Sequence, residues 1–202
     1  MNRTGNFNLA IKAQADKGTR AMYETKTKRK YHNLSVSCQL DPFDKVVKPI
    51  VLYGSEVWGF RNYHMVEKVH LKFCKLLLNL KTSTANCLVY GELGRFPLSV
   101  DIKQRMTFYW TKVISGKQIK LCYITYRLMF HLFSTQNVNF QWLTYVKDMF
   151  DECGLTYIWN SQNFINERWI NKIGMMTFNS VQKPLIIEFS KILLDLKIIL
   201  TY

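Results

Sequence analysis

The sequence predicts an all-α protein, with about seven to nine helices around an aromatic-rich core. Apolar residues recur every three or four positions through most of the chain, the period of one helix face. No run of alternating apolar and polar residues makes a convincing strand, and the hairpin dipeptides Asn-Gly and Asp-Gly are absent. Aromatic side chains make up 14% of the 202 residues, enough with the other apolar groups to fill a core.

Residues 8–33 read as a polar helical segment with Leu9, Ala13, Ala21 and Met22 as its apolar points and Lys26, Lys28, Arg29 and Lys30 as a basic run. Asp41-Pro42 has the form of a helix start, with Asp as N-cap and Pro in the first turn. The helix it opens should reach Trp58, bury Leu40, Phe43, Val46, Val47, Ile50, Tyr53 and Val57, and kink at Pro49. Gly54 should let another backbone approach, and Gly59 should end the helix.

Residues 63–80 form the clearest amphipath. Val66, Val69, Phe73, Leu77 and Leu80 make an apolar seam, while Lys68, Lys72, Lys75 and Asn79 share another face. A short helix follows at 84–93. Pro97 opens another through 114, with Ile102, Met106, Tyr109 and Val113 inward and Lys103 and Arg105 on its surface. Ser115-Gly116 stops it. Residues 117–133 carry Cys122, Tyr123, Tyr126, Met129, Phe130 and Phe133, aromatics at core spacing. Residues 135–139 are polar and loop-like. Trp142, Val146, Met149, Phe150 and Cys153 define a further helix, ended by Gly154 as a left-handed cap with Leu155 packing back. Ile165, Trp169 and Ile170 mark one more, and Leu185 to Leu200 a terminal amphipath.

Charge narrows the partners. The net charge is +14, and residues 1–140 hold 22 basic against 8 acidic side chains, while 141–202 hold 6 of each. Such a basic region favours a polyanion, nucleic acid first and an anionic membrane surface second. Five widely spaced cysteines form no Cys-x-x-Cys pair and fit a reducing, intracellular compartment, cytoplasmic or nuclear. His70 and Cys74 lie four apart on one helix face, but no second ligand pair follows, so no metal and no cofactor are expected. No apolar run reaches membrane-spanning length. The chain has no Gly-rich phosphate loop, nucleophile elbow or His-Glu-x-x-His, and no small-molecule substrate is expected.

Leu52-Tyr53-Gly54-Ser55-Glu56-Val57-Trp58, set after a Pro-containing apolar helix, resembles the segment beyond the polymerase palm in LINE-type (non-LTR) retrotransposon reverse transcriptases. Glu67 to Lys75, Val89 to Leu98, Asp151 to Leu155 and Arg168-Trp169-Ile170 resemble the same family in the same order, so the resemblance spans roughly residues 5–173. It implies a thumb-like helical region at 1–135, a post-thumb region at 136–173 and a diverged C-terminal helix at 174–202. It also implies an RNA-directed DNA polymerase context. That chemistry needs paired Asp carboxylates to hold two metal ions, usually as aromatic-x-Asp-Asp. No Asp-Asp pair occurs, and Asp151-Glu152 stands without a third carboxylate, so no catalytic residue is expected and the chain should not be an enzyme as it stands.

A thumb grips the template–primer duplex through its phosphates. The basic residues suited to weak, sequence-independent contact with an RNA or DNA backbone are Lys26, Lys28, Arg29, Lys30, Lys68, Lys72, Lys75, Lys103 and Arg105, chosen by charge and helix face. A helical interaction protein that docks on an acidic partner or anionic membrane, using Leu185 to Leu200, is the alternative.

Overall fold

A computed structural model describes residues 7–28 (side chains through 25), 35–61, 63–116, 120–162, 187 and 191. The expected helix around Ile165 to Ile170 lies outside these residues, as does the terminal amphipath except for Ile187 and Lys191, which are helical and exposed. All regular secondary structure among the described residues is helical, with an aromatic cluster buried in the core. The elements are α1 (Asn8–Lys28), α2 (Val36–Pro42), a π turn (Phe43–Val47), α3 (Lys48–Val51), α4 (Ser55–Trp58), α5 (His64–Leu77), α6 (Asn86–Leu93), α7 (Leu98–Ile114), α8 (Leu121–Thr135), α9 (Gln141–Glu152) and α10 (Thr156–Ser161).

These helices gather into two compact units. The first holds α1–α3, α5, α6 and the first two residues of α7; the second holds α4, the rest of α7 and α8–α10. The 135–139 loop lies within the second unit. It marks the change in charge along the chain.

In the first unit α1 buries Ile11, Ala15, Gly18 and Met22, spaced by four, three and four. Leu9 and Ala13, expected as apolar anchors, are exposed. Gly18 is where α1 comes closest to its neighbours. A Cβ there would lie 2.2 Å from Val51 Cγ1 and 3.7 Å from Val69 Cγ1.

The helix expected to start at Asp41 begins six residues earlier. Ser35 is its N-cap, and its hydroxyl accepts from the Cys38 N–H. Asp41 instead receives the Lys45 ammonium at 2.6 Å across one exposed turn. Pro49 is accommodated by a wide π turn rather than a plain kink: the Lys48 N–H reaches back five residues to the Phe43 carbonyl, opening the turn just before the proline ring.

That extra residue per turn rotates the seam. Phe43, Val47, Val51 and Leu52 are buried, while Val46, Tyr53 and Val57, expected inside, are exposed, Tyr53 to 72%. The helix also breaks at 52–54, with Gly54 at φ 71°, so Trp58 is buried from a separate turn. Gly54 supplies the left-handed backbone of that turn.

The second unit is centred on Trp110, which is fully buried. Its ring lies 4.8 Å from Phe150 and 6.0 Å from Trp159 between centroids. Its Nε1–H donates to the Tyr126 hydroxyl at 2.9 Å, which donates onward to Gln162 Oε1 at 2.6 Å. Burial pushes the Tyr126 hydroxyl up to about 12.

Helix α7 packs Ile102, Met106, Trp110 and Val113 inward. Tyr109, expected on that face, is half-exposed and sits edge-on to Trp142 at 6.0 Å. Of the six α8 residues expected in the core, only Tyr126 is buried; Cys122 is exposed and the other four are half-buried. Helix α9 ends as expected, with Gly154 at φ 69°, the Leu155 N–H on the Phe150 carbonyl at 2.8 Å and Leu155 buried.

Candidate nucleic-acid interface

Helix α5 carries the central basic residues, and a buried polar cluster sets which way it faces. Glu67 sits in its first turn with a side chain only 13% exposed. One carboxylate oxygen accepts from the buried Tyr90 hydroxyl and lies 3.3 Å from His70 Nδ1. The other accepts the Leu98 N–H at 2.7 Å. Leu98 is the first residue of α7, so Glu67 caps that helix from a neighbouring element and places negative charge at its positive end.

His70 stacks on Phe43 at 4.8 Å and tilts against Tyr90 at 5.5 Å. Its Nε2 has no hydrogen-bond partner among the described residues. Arg95 donates to Asp44 at 2.9 Å, with its guanidinium 5.9 Å from the Phe43 ring centroid.

Burial raises the Tyr90 hydroxyl well above its ordinary value, and the charge and hydrogen bond of Glu67 raise it further. Burial pushes the Cys74 thiol up to about 12, against a downward pull from Arg95. No group of three His, Cys, Asp or Glu gathers around a point among the described residues.

With Val66, Val69, His70, Phe73 and Cys74 turned inward, Lys68 and Lys72 face out. The expected seam needs correction at its end. Leu77 is half-buried and Leu80 is 40% exposed, because α5 stops at Leu77 and Asn79 takes a left-handed φ of 53°. The Leu80 N–H bonds the Lys75 carbonyl at 2.9 Å, a Schellman closure. His70 and Cys74 fill the seam instead. Asn79 therefore belongs to the turn and leaves the lysine stripe.

The predicted contacts differ in their surroundings. Lys72 Nζ lies 5.1 Å from the Tyr23 ring centroid on α1, tying the two helices with a cation–π contact. Lys75 Nζ donates to the Thr82 carbonyl at 2.8 Å, and Lys103 Nζ pairs with Glu152 at 2.7 Å, so both amines are engaged within the protein. Arg105 is exposed on α7. Lys26 and Lys28 fall in the last turns of α1, with side chains outside the described residues, as are Arg29 and Lys30.

Sequence reasoning passed over Arg20. Gly18 lies beside Val69 and Tyr23 beside Lys72, so α1 and α5 advance together. Arg20 is one turn before Tyr23, as Lys68 is before Lys72, and both are exposed. Lys12 and Lys17 add exposed charge along α1, interspersed with Asp16 and Glu24. The signal for Arg20 existed only in its helical offset from Tyr23, which has meaning once the α1–α5 pairing is known. Comparison with family models, curated proteins and solved structures finds no match to this chain.

Proposed function

We propose that this chain is the helical region beyond the palm of a LINE-type reverse transcriptase, a thumb-like element that holds nucleic acid by its phosphates and performs no polymerisation itself. The observation that carries the reading is that Arg20 on α1 and Lys68 and Lys72 on α5 are exposed on two helices that pack together and meet where Lys72 lies over Tyr23. Phosphate contacts of this kind position a duplex without reading its bases. The resembling phrases support the same reading. Glu67 from one phrase holds Tyr90 and Leu98 from the next, and Arg95 reaches back to Asp44, in the apolar helical stretch that precedes the first. Lys26, Lys28, Arg29, Lys30 and Arg105 are further candidates by charge alone, and an intracellular location, in cytoplasm or nucleus, follows from the partner.

Fluorescence anisotropy over a salt series tests it. Replacing Arg20, Lys68 and Lys72 together by Gln should weaken RNA and DNA of all sequences alike and flatten the salt dependence, by ~0.9 in the log–log slope per lost phosphate contact on B-form DNA. Lys75→Gln and Lys103→Gln, whose amines are engaged internally, should change binding much less. Unaltered affinity and slope in the triple variant would refute the proposal. Primer extension on an RNA template should give no incorporation.

A further inference from the structure

Helix α8 shows a face that nucleic-acid binding does not use. Leu121, Ile124 and Leu128 are 77%, 51% and 59% exposed. They recur at intervals of three and four, the spacing of a helix–helix seam, over about 10 Å of helix. The opposite side is anchored within the second unit: Tyr126 is buried, and Phe130 and Phe133 pack on Trp159 at 5.7 and 6.5 Å. The seam ends where its next two positions become His131 and Thr135.

Lys120 and Arg127 each stand one residue before a seam leucine, seven apart, on the same flank. Both are exposed, and α8 contains no Asp or Glu. We infer that this face of α8 docks an amphipathic helix of a partner protein whose apolar seam is flanked by acidic residues.

Charge decides among the possible occupants. A second copy brings no carboxylate on its own α8. Set antiparallel it places Lys120 and Arg127 against the same basic residues, and set parallel it places them against Thr125 and Leu132. A lipid surface would favour a broad apolar face. Here the apolar row is one residue wide and bordered by the exposed Thr125 and Arg127. A helix with Glu or Asp beside its own seam meets both features, the row and the flanking charges.

The test uses the full chain and two synthetic helical peptides with identical Leu/Ile seams, one flanked by Glu and the other by Lys. Anisotropy should show the acidic peptide binding about tenfold more tightly than the basic one at low salt, the scale set by two exposed charge pairs. Leu121→Ser with Leu128→Ser should abolish binding while circular dichroism stays unchanged. Lys120→Glu with Arg127→Glu should reverse the preference toward the basic peptide, a readout that does not depend on the serine variant folding. Equal binding of both peptides, or of neither, would overturn the inference. So would dimerisation by light scattering that Leu128→Ser removes, or binding only to phosphatidylserine-containing vesicles.

Discussion

Replacing Glu67 by Ala should be among the most destabilising single changes in the first unit. The substitution deletes the acceptor for two donors, the buried Tyr90 O–H and the Leu98 N–H, and it removes the negative charge at the start of α7. A buried donor left unsatisfied costs about 1–3 kcal/mol. Two of them, eased where water reaches a site that is 13% exposed, give a loss of about 3–5 kcal/mol. With a urea dependence of about 2 kcal/mol per molar, the midpoint should fall by about 2 M.

Glu67→Gln retains one carbonyl oxygen, which can serve the Leu98 N–H. The Tyr90 hydroxyl can then turn to accept from the new amide, and the loss should be about 1–2 kcal/mol. Tyr90→Phe combined with Glu67→Ala should cost less than the sum of the two, by about 1 kcal/mol or more, because both remove one bond. The described tryptophans, Trp58, Trp110, Trp142 and Trp159, all lie in the second unit, so far-UV circular dichroism during urea unfolding is the suitable probe. An Ala variant within about 0.5 kcal/mol of wild type would refute the reasoning, as would strictly additive double-mutant behaviour.

Gly18→Ala should destabilise by about 1–3 kcal/mol, because the new methyl falls 2.2 Å from the buried, β-branched Val51; adding Val51→Ala should recover part of the loss in thermal melts. Trp58→Ala should cost about 3–5 kcal/mol through lost packing of a side chain only 4% exposed, and a cost near zero in chemical denaturation would show that it is not a core residue. Stability should also fall at alkaline pH. Cys74 has a folded-state value near 12 against about 9 unfolded, so its contribution is complete below pH 9 and is lost as pH rises towards 12, at about 1.4 kcal/mol per pH unit. Tyr90 and Tyr126 are raised too, so the trend steepens above pH 10, and Cys74→Ala should flatten only its onset in urea midpoints measured from pH 8 to 11.

The helical period alone determined the class of this protein and most element positions. Pro97 before α7, Gly154 after α9 and the 3–4 spacing of Val66, Val69 and Phe73 are local signals, and each came through into the structure. The charge of α5 was legible for the same reason, since Lys68 and Lys72 fall away from that seam whatever lies beneath it. Which residues lie inside near a distortion was not legible. At the π turn before Pro49, of the two adjacent valines expected inside, Val47 is buried and Val46 is exposed.

Nor does a periodic apolar pattern say whether a face has a neighbour, which is why α8 exposes Leu121, Ile124 and Leu128 while Trp110 takes the centre of the second unit. The cluster around Glu67 depends on residues 23 and 31 positions away, and Arg95 meets Asp44 across 51. Hydrogen bonds of that range leave no mark in local spacing. Chain folding alone makes Glu67 a helix cap, Tyr23 the partner of Lys72, and Lys75 and Lys103 internal partners, because each depends on which surfaces the packing of apolar faces brings together.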